Sequence, residues 1–352
     1  MAESYSKQVN DANVILLRNI ISELPSYVKT FFRGIEPTTS SRTRIGYARD
    51  IKLFFEYLCM ENPYFKNKKP LDITLDDLSS LEACDIEEYL EYLKLYEKNG
   101  RRYTNGERAI KRKLSALRVF YRYLYKNDRI SSNPVDKVDM PKIHNKAIIR
   151  MEPNEVADFL DAVDYGNTLT KHQQSFHKKT RTRDLAILTL MLGTGIRVSE
   201  CVGIDVTDVD FDNSRIKITR KGGYEAFIYF GDEVNDALLE YMEERKKLSP
   251  IEGHENALFI SNQNRRISVR SVEVIVKKYA QTVTPMKHIT PHKLRSTYGT
   301  ELYRETGDIY LVADVLGHSD VNTTKKHYAD IDEERKRFAK DKVTLREKDK
   351  KE

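Results

Sequence analysis

Only three cysteines, Cys59, Cys84 and Cys201, occur in the 352 residues, too few and too scattered for a disulfide framework or a zinc knuckle. They are expected to be buried, reduced thiols. No apolar run reaches membrane length, and the opening MAESYSKQVNDANV has neither the basic nor the apolar region of a signal peptide. The expectation is a cytoplasmic, soluble protein with no membrane partner. A Gly-rich nucleotide loop, a paired metal-ligand motif, a carboxylate cluster for a divalent cation, internal repeats and low-complexity tracts are all missing. Whatever chemistry the chain performs is therefore expected to need no metal, no ATP and no other cofactor.

What is present describes a folding chain. Charged residues make up 32% and the mean hydropathy is -0.61, but 39% hydrophobic residues, with 21 Tyr and 13 Phe, are too many for a disordered polymer. The length exceeds what one hydrophobic core usually serves, so two domains are expected. A net charge of +6 and a pI near 8.9 suit a polyanionic partner without establishing one.

Residues 1–38 read as an N-terminal helical extension and 39–133 as a helical bundle. Tyr47, Ile51, Phe54, Phe55 and Leu58 fall on one helical stripe. A second helix is expected from Asp85, with Asp85 and Glu88 as its capping box, and a third from about Glu107 to Tyr125. The third helix and the turn before it carry Arg101, Arg102, Arg108, Lys111, Arg112, Lys113, Arg118 and Arg122, a density that suits a phosphate backbone better than scattered surface charge. Periodicity is lost over 134–152, the expected linker, which holds Pro134 and Pro141 and is followed directly by Pro153.

A second domain is expected over 153–330. It opens with a helix from Asn154 to Val163, then an exposed loop from Asp164 to Arg183, then the all-apolar DLAILTLML as a buried helix. Strands Arg215–Arg220 and Tyr224–Phe230 are joined across Lys221-Gly222-Gly223, whose glycines permit the positive φ of a tight hairpin. Helices are expected over 233–247, 269–280, 291–304, 309–316 and 321–328, followed by a tail, 331–352, with Ile331, Phe338 and Leu345 at seven-residue spacing. The fold class is mainly α: an N-terminal helical bundle, then a mostly helical domain with a small antiparallel sheet.

Five places in that second domain offer chemistry. Thr290-Pro291 suits the start of a helix that sets His292 in the first turn and Arg295 on the same face, where a phosphate would meet a ring N–H, a guanidinium fork and the positive helix end. Arg197 follows the buried helix directly, and Glu200 stands three residues on, placed to orient it. Lys221 sits at the hairpin tip. Gly317-His318 closes one helix, and Tyr328 comes ten positions after His318. Each element alone is commonplace; what distinguishes them is their order.

That ordered set, Arg197, Lys221, His292-x-x-Arg295, Gly317-His318 and Tyr328, resembles the tyrosine recombinases, and among them the Xer-type site-specific recombinases. Glu200 matches the acidic residue that follows the family's first arginine. The resemblance implies an enzyme in which Tyr328 attacks a DNA phosphate held by Arg197, Lys221, His292, Arg295 and His318. It also implies a 3′-phosphotyrosyl intermediate, a double-stranded DNA partner with paired recombination sites, a homotetramer in the synapse and room for an accessory protein. The N-terminal bundle would then be a core-type DNA-binding domain and the tail a segment exchanged between protomers. Ser296 departs from the pattern, since many members carry a histidine there; it lies outside the catalytic set. Xer-like chromosome-dimer resolution is the expected role. Integration or excision of a mobile element, a type IB topoisomerase and a catalytically inactive DNA-binding protein stand as alternatives.

Overall fold

The computed structural model describes residues 5–144, 149–220, 223–318 and 321. The chain divides into two compact units, the first running to residue 146 and the second from residue 147. Lys221, Tyr328, the helix expected over 321–328 beyond its first residue, and the tail carrying Ile331, Phe338 and Leu345 lie outside the described residues.

The first unit is helical. Helix α1 (Tyr5–Ile21) and helix α2 (Ser26–Gly34) precede α3 (Ser41–Glu61), α4 (Leu75–Ser80) and α5 (Ala83–Tyr92). Strands β1 (Leu95–Lys98) and β2 (Arg101–Thr104) form a hairpin, after which comes α6 (Glu107–Lys126). The stripe on α3 is buried as its period demands, with Ile51, Phe54, Phe55 and Leu58 at zero exposure. Ser40 caps this helix by accepting from the Thr43 N–H at 3.2 Å. Opposite lie Leu114, Leu117, Phe120 and Tyr121 of α6.

Three local features depart from the sequence expectations. Leu17, Leu24, Tyr27, Val28, Phe31 and Phe32, all before residue 38, lie in the same core as α3 and α6, with Phe31 edge-on to Phe120 at 5.1 Å between centroids. Helix α5 begins two residues before Asp85: Glu82 is the N-cap, and the Asp85 carboxylate accepts the Glu82 N–H at 2.8 Å. Asp85 is thus the far member of the box, not its start. The β1–β2 hairpin was not expected at all, although Asn99 and Gly100 both hold positive φ, 52° and 69°, as a two-residue primed turn requires. Beyond α6 a short 3-10 helix, Pro134–Lys137, packs Val135 and Val138 into this core.

The second unit opens with α7 (Pro153–Tyr165), α8 (Lys171–Thr194) and the single turn α9 (Val198–Cys201). Strands β3 (Val209–Asp210), β4 (Arg215–Thr219) and β5 (Glu225–Tyr229) make one antiparallel sheet in that order, with Ile216 facing Ile228. Helices α10 (Asp232–Arg245), α11 (Val269–Val283), α12 (Pro291–Thr306) and α13 (Ile309–Leu316) follow.

The loop expected from Asp164 to Arg183 is mostly the first half of α8. Thr170 caps it, accepting the Gln173 N–H at 3.3 Å while the Gln173 side chain accepts the Thr170 N–H at 3.0 Å. The segment is polar because its side chains bond inward. His177 Nε2 pairs with Val163 O at 2.7 Å, Arg181 bridges Asp164 and Glu240, and Thr182 reaches Glu244. Asp184, 1% exposed, is surrounded by Arg183, Lys278, Tyr279 and Thr180. Composition alone resembles a loop when the polar partners are distant in sequence. The apolar second half of α8, Ala186 to Met191, is buried as expected.

Candidate active site

The site is organised around the C-terminal turn of α13. Asp308 starts this helix by accepting the Tyr310 and Leu311 N–H groups at 2.8 and 3.1 Å. Gly317 ends it in the left-handed region (φ 61°), and His318 N–H closes the turn onto Ala313 O at 2.8 Å. A helix of this kind leaves its last carbonyls without helical partners, at the negative end of its dipole.

Arginines from three other elements supply those partners. Arg197 is the N-cap residue of α9. Its Nη2 donates to Gly317 O at 2.9 Å, and the Glu200 carboxylate accepts from its Nη1 (2.8 Å) and its backbone N–H (3.0 Å). Glu200 is 5% exposed at its side chain, so its orientation is fixed by packing as well as by charge. Arg295 of α12 is buried and donates to Gly195 O at 2.7 Å and to Leu316 O. Arg220, directly after β4, donates to Val315 O at 3.2 Å. The negative end of α13 therefore draws guanidinium groups from three distant segments to one turn.

Glycine makes the approach between α8 and this turn feasible. Gly195 ends α8 at φ 63°, and a Cβ there would lie 2.4 Å from the Tyr298 ring and 2.8 Å from Leu316. His292 occupies the first turn of α12 after Pro291 and is exposed, one helical turn from Arg295. The structure thus brings Arg197, Glu200, Arg295 and His318 together, with His292 on the same helix as Arg295. At the end of α9, burial and the nearby Glu200 push the Cys201 thiol up to about 12.

The basic residues of the first unit separate into two groups. Arg101 and Arg102 stand exposed on β2, Arg108 is exposed at the start of α6, and Lys111 is half-buried on α6. Arg112 instead pairs with buried Asp50 of α3, Arg118 donates to Val138 O, and Arg122 holds Asp136 at 3.0 Å. Lys113 is buried and reaches the other Asp50 oxygen at 3.3 Å. Sequence reasoning treated all of these as one face. It also passed over Arg220, for which the available signal was its position next to Lys221.

Residues 150–335 match the model of the phage integrase family. The chain belongs to that family, the tyrosine recombinases. Among its relatives, the tyrosine recombinase XerS of Streptococcus agalactiae is 30% identical over 337 residues, covering 89% of this chain and 94% of the relative. The tyrosine recombinase XerC of Leptospira interrogans is 29% identical over 291 residues, covering 83% and 84%. Two solved structures share the fold. A XerH site-specific recombinase bound to a palindromic difH substrate, in a post-cleavage complex, superposes with a TM-score of 0.64 at 20% identity, over 85% of this chain and 79% of that one. The integrase of transposon Tn1549, in complex with transposon right end DNA, gives 0.63 at 21% identity, over 90% and 99%. The recombinase is a tyrosine-type site-specific DNA recombinase, and no described helix is long and apolar enough to cross a membrane.

Proposed function

We propose that this recombinase exchanges strands between paired double-stranded DNA sites through a 3′-phosphotyrosyl intermediate, with Tyr328 as nucleophile. The convergence of Arg197 and Arg295 on the turn that ends in His318 carries the reading. Transesterification places charge on the non-bridging phosphate oxygens, and prepositioned guanidinium and imidazole donors stabilise that charge without reorganising. The bond between Tyr328 Oη and phosphorus forms as the bond to the 5′-oxygen breaks. His292 accepts the phenol proton, and Lys221 gives a proton to the departing 5′-oxygen. The phosphotyrosyl link retains the phosphodiester energy, so a 5′-hydroxyl from the partner duplex reseals the strand.

The biological role we infer is Xer-like chromosome-dimer resolution in the cytoplasm by a homotetramer of this one chain. Likeness to a XerS protein over most of both chains supports it. The exposed Arg101, Arg102 and Arg108 on the first unit would face the DNA backbone. Tyr328→Phe tests the chemistry: on a nicked suicide duplex it should bind like the parent and form no covalent adduct, and an undiminished adduct would remove Tyr328 from the role. For the biology, deletion of the gene should leave unresolved chromosome dimers. Excision of an adjacent mobile element as the sole phenotype would favour the integrase reading.

A further inference from the structure

One side chain spans the β4–β5 hairpin and the C-terminal turn of α13. Arg220 has its main chain fixed at the base of the hairpin: its N–H donates to Tyr224 O at 2.7 Å, and its carbonyl accepts the Gly223 N–H at 3.1 Å. Its guanidinium leaves the hairpin altogether. Nη2 donates to Val315 O at 3.2 Å and Nη1 reaches Asp314 O at 3.5 Å. The group lies so close against Gly317 that a Cβ there would stand 1.9 Å from Nη1 and 2.4 Å from Cζ.

This placement is costly for a residue beside a turn. Nε is buried and, among the described residues, has no hydrogen-bond partner, and a long flexible side chain is held in one arrangement. The return is a charged grip on the negative end of α13. Arg220 differs from Arg197 and Arg295 in what precedes and follows it: its backbone neighbour is Lys221. The base of the hairpin and the turn bearing His318 are thereby tied through one side chain.

We propose that Arg220 is a positioning residue for strand cleavage, holding the hairpin that carries Lys221 in register with the Gly317-His318 turn so that the leaving 5′-oxygen receives its proton in time. The proposal rests on Lys221 acting as the general acid. It predicts that loss of Arg220 impairs leaving-group protonation and leaves phosphate binding alone, a distinction a purely structural role would not produce.

The test compares Arg220→Ala, Arg220→Lys, Lys221→Ala and Arg197→Ala on two suicide duplexes, one normal and one with sulfur replacing the bridging 5′-oxygen. In the sulfur duplex the Tyr328–phosphorus bond forms as the phosphorus–sulfur bond breaks, and the thiolate departs without needing a proton. On the oxygen duplex Arg220→Ala should slow covalent adduct formation by about 10–100-fold, within the range of a misplaced general acid. On the sulfur duplex it should come within about threefold of the parent, while DNA affinity stays unchanged. Lys221→Ala should show the same rescue, and Arg197→Ala should show none. Arg220→Lys, which keeps a charged donor, should be intermediate on oxygen and rescued on sulfur. An unrescued Lys221→Ala would refute the general-acid reading itself. Rescue of Lys221→Ala with equal slowing of a folded Arg220 variant on both duplexes would overturn the positioning role alone, as would parental rates for Arg220→Ala on oxygen. If Arg220→Ala does not fold, the Arg220→Lys comparison decides by the same criteria.

Discussion

Replacing Arg112 with alanine should destabilise the first unit far more than removing an exposed neighbour such as Arg108. Asp50 is 2% exposed at its side chain, and Arg112 and Lys113 are its charged partners, on opposite carboxylate oxygens. Stripping a buried charge of its partner typically costs about 3–5 kcal/mol. Here Lys113 remains at 3.3 Å and the Arg112 side chain is 52% exposed, so the expected cost is about 1.5–3 kcal/mol. Arg108→Ala should stay within about 0.5 kcal/mol, as exposed substitutions do. Burial holds the Asp50 carboxyl above the usual carboxylate range against the opposing pull of Lys113 and Arg112. A carboxyl raised in this way contributes stability below its unfolded value near 3.9, and that contribution is lost as pH rises through the folded value. Arg112→Ala raises it further. The penalty should therefore be largest at neutral pH and shrink as the medium is acidified through the titration of Asp50. Denaturant unfolding of the full chain at several pH values, with hydrogen exchange on α3 and α6 to localise the loss, provides the measurement. In an Asp50→Asn background Arg112→Ala should cost under about 0.5 kcal/mol. A cost that is small at pH 7, independent of pH, or unchanged in that background would refute the assignment of Arg112 to the fold.

The remaining expectations are briefer. Neutralising Arg101, Arg102 and Arg108 together should weaken binding to all DNA sequences and reduce the salt slope by up to about 2–3, read by titration at several salt concentrations. An unchanged slope would mean that this face is only solvated. Gly195→Ala should destabilise the second unit and depress cleavage, because its Cβ meets the Tyr298 ring at a positive φ; parental melting and parental adduct yield would contradict that packing. Of the three cysteines expected to be buried, Cys84 is exposed and Cys59 half-buried, so with the native protein at pH 8 Cys84 should react quickly with a thiol reagent, while Cys201, buried and at about 12, should react only on unfolding. Rapid modification of Cys201 would show that the α9 turn opens readily.

The sequence by itself determined most of the helices, the β4–β5 pair and the order of the chemical residues. Each of these rests on local rules: the 3.6-residue stripe of α3 and α6, the paired glycines after Lys221, and the Thr290-Pro291 start of α12. The ordered set from Arg197 to Tyr328 was readable because motif spacing survives without knowledge of contacts. Tertiary structure decided what those rules cannot reach. Polar residues from Lys171 to Arg183 form a helix because Asp164, Glu240 and Glu244 wait for them across the unit, and the residues before Thr39 belong to a core whose other wall is α6. The same blindness grouped Arg112, Arg118 and Arg122 with Arg101 and Arg108: charge is visible in a sequence, but whether a guanidinium is already engaged by a carboxylate or carbonyl of the fold depends on partners distant in sequence. Arg220 shows this most directly, since only folding brings the carbonyls of α13 to the base of the hairpin.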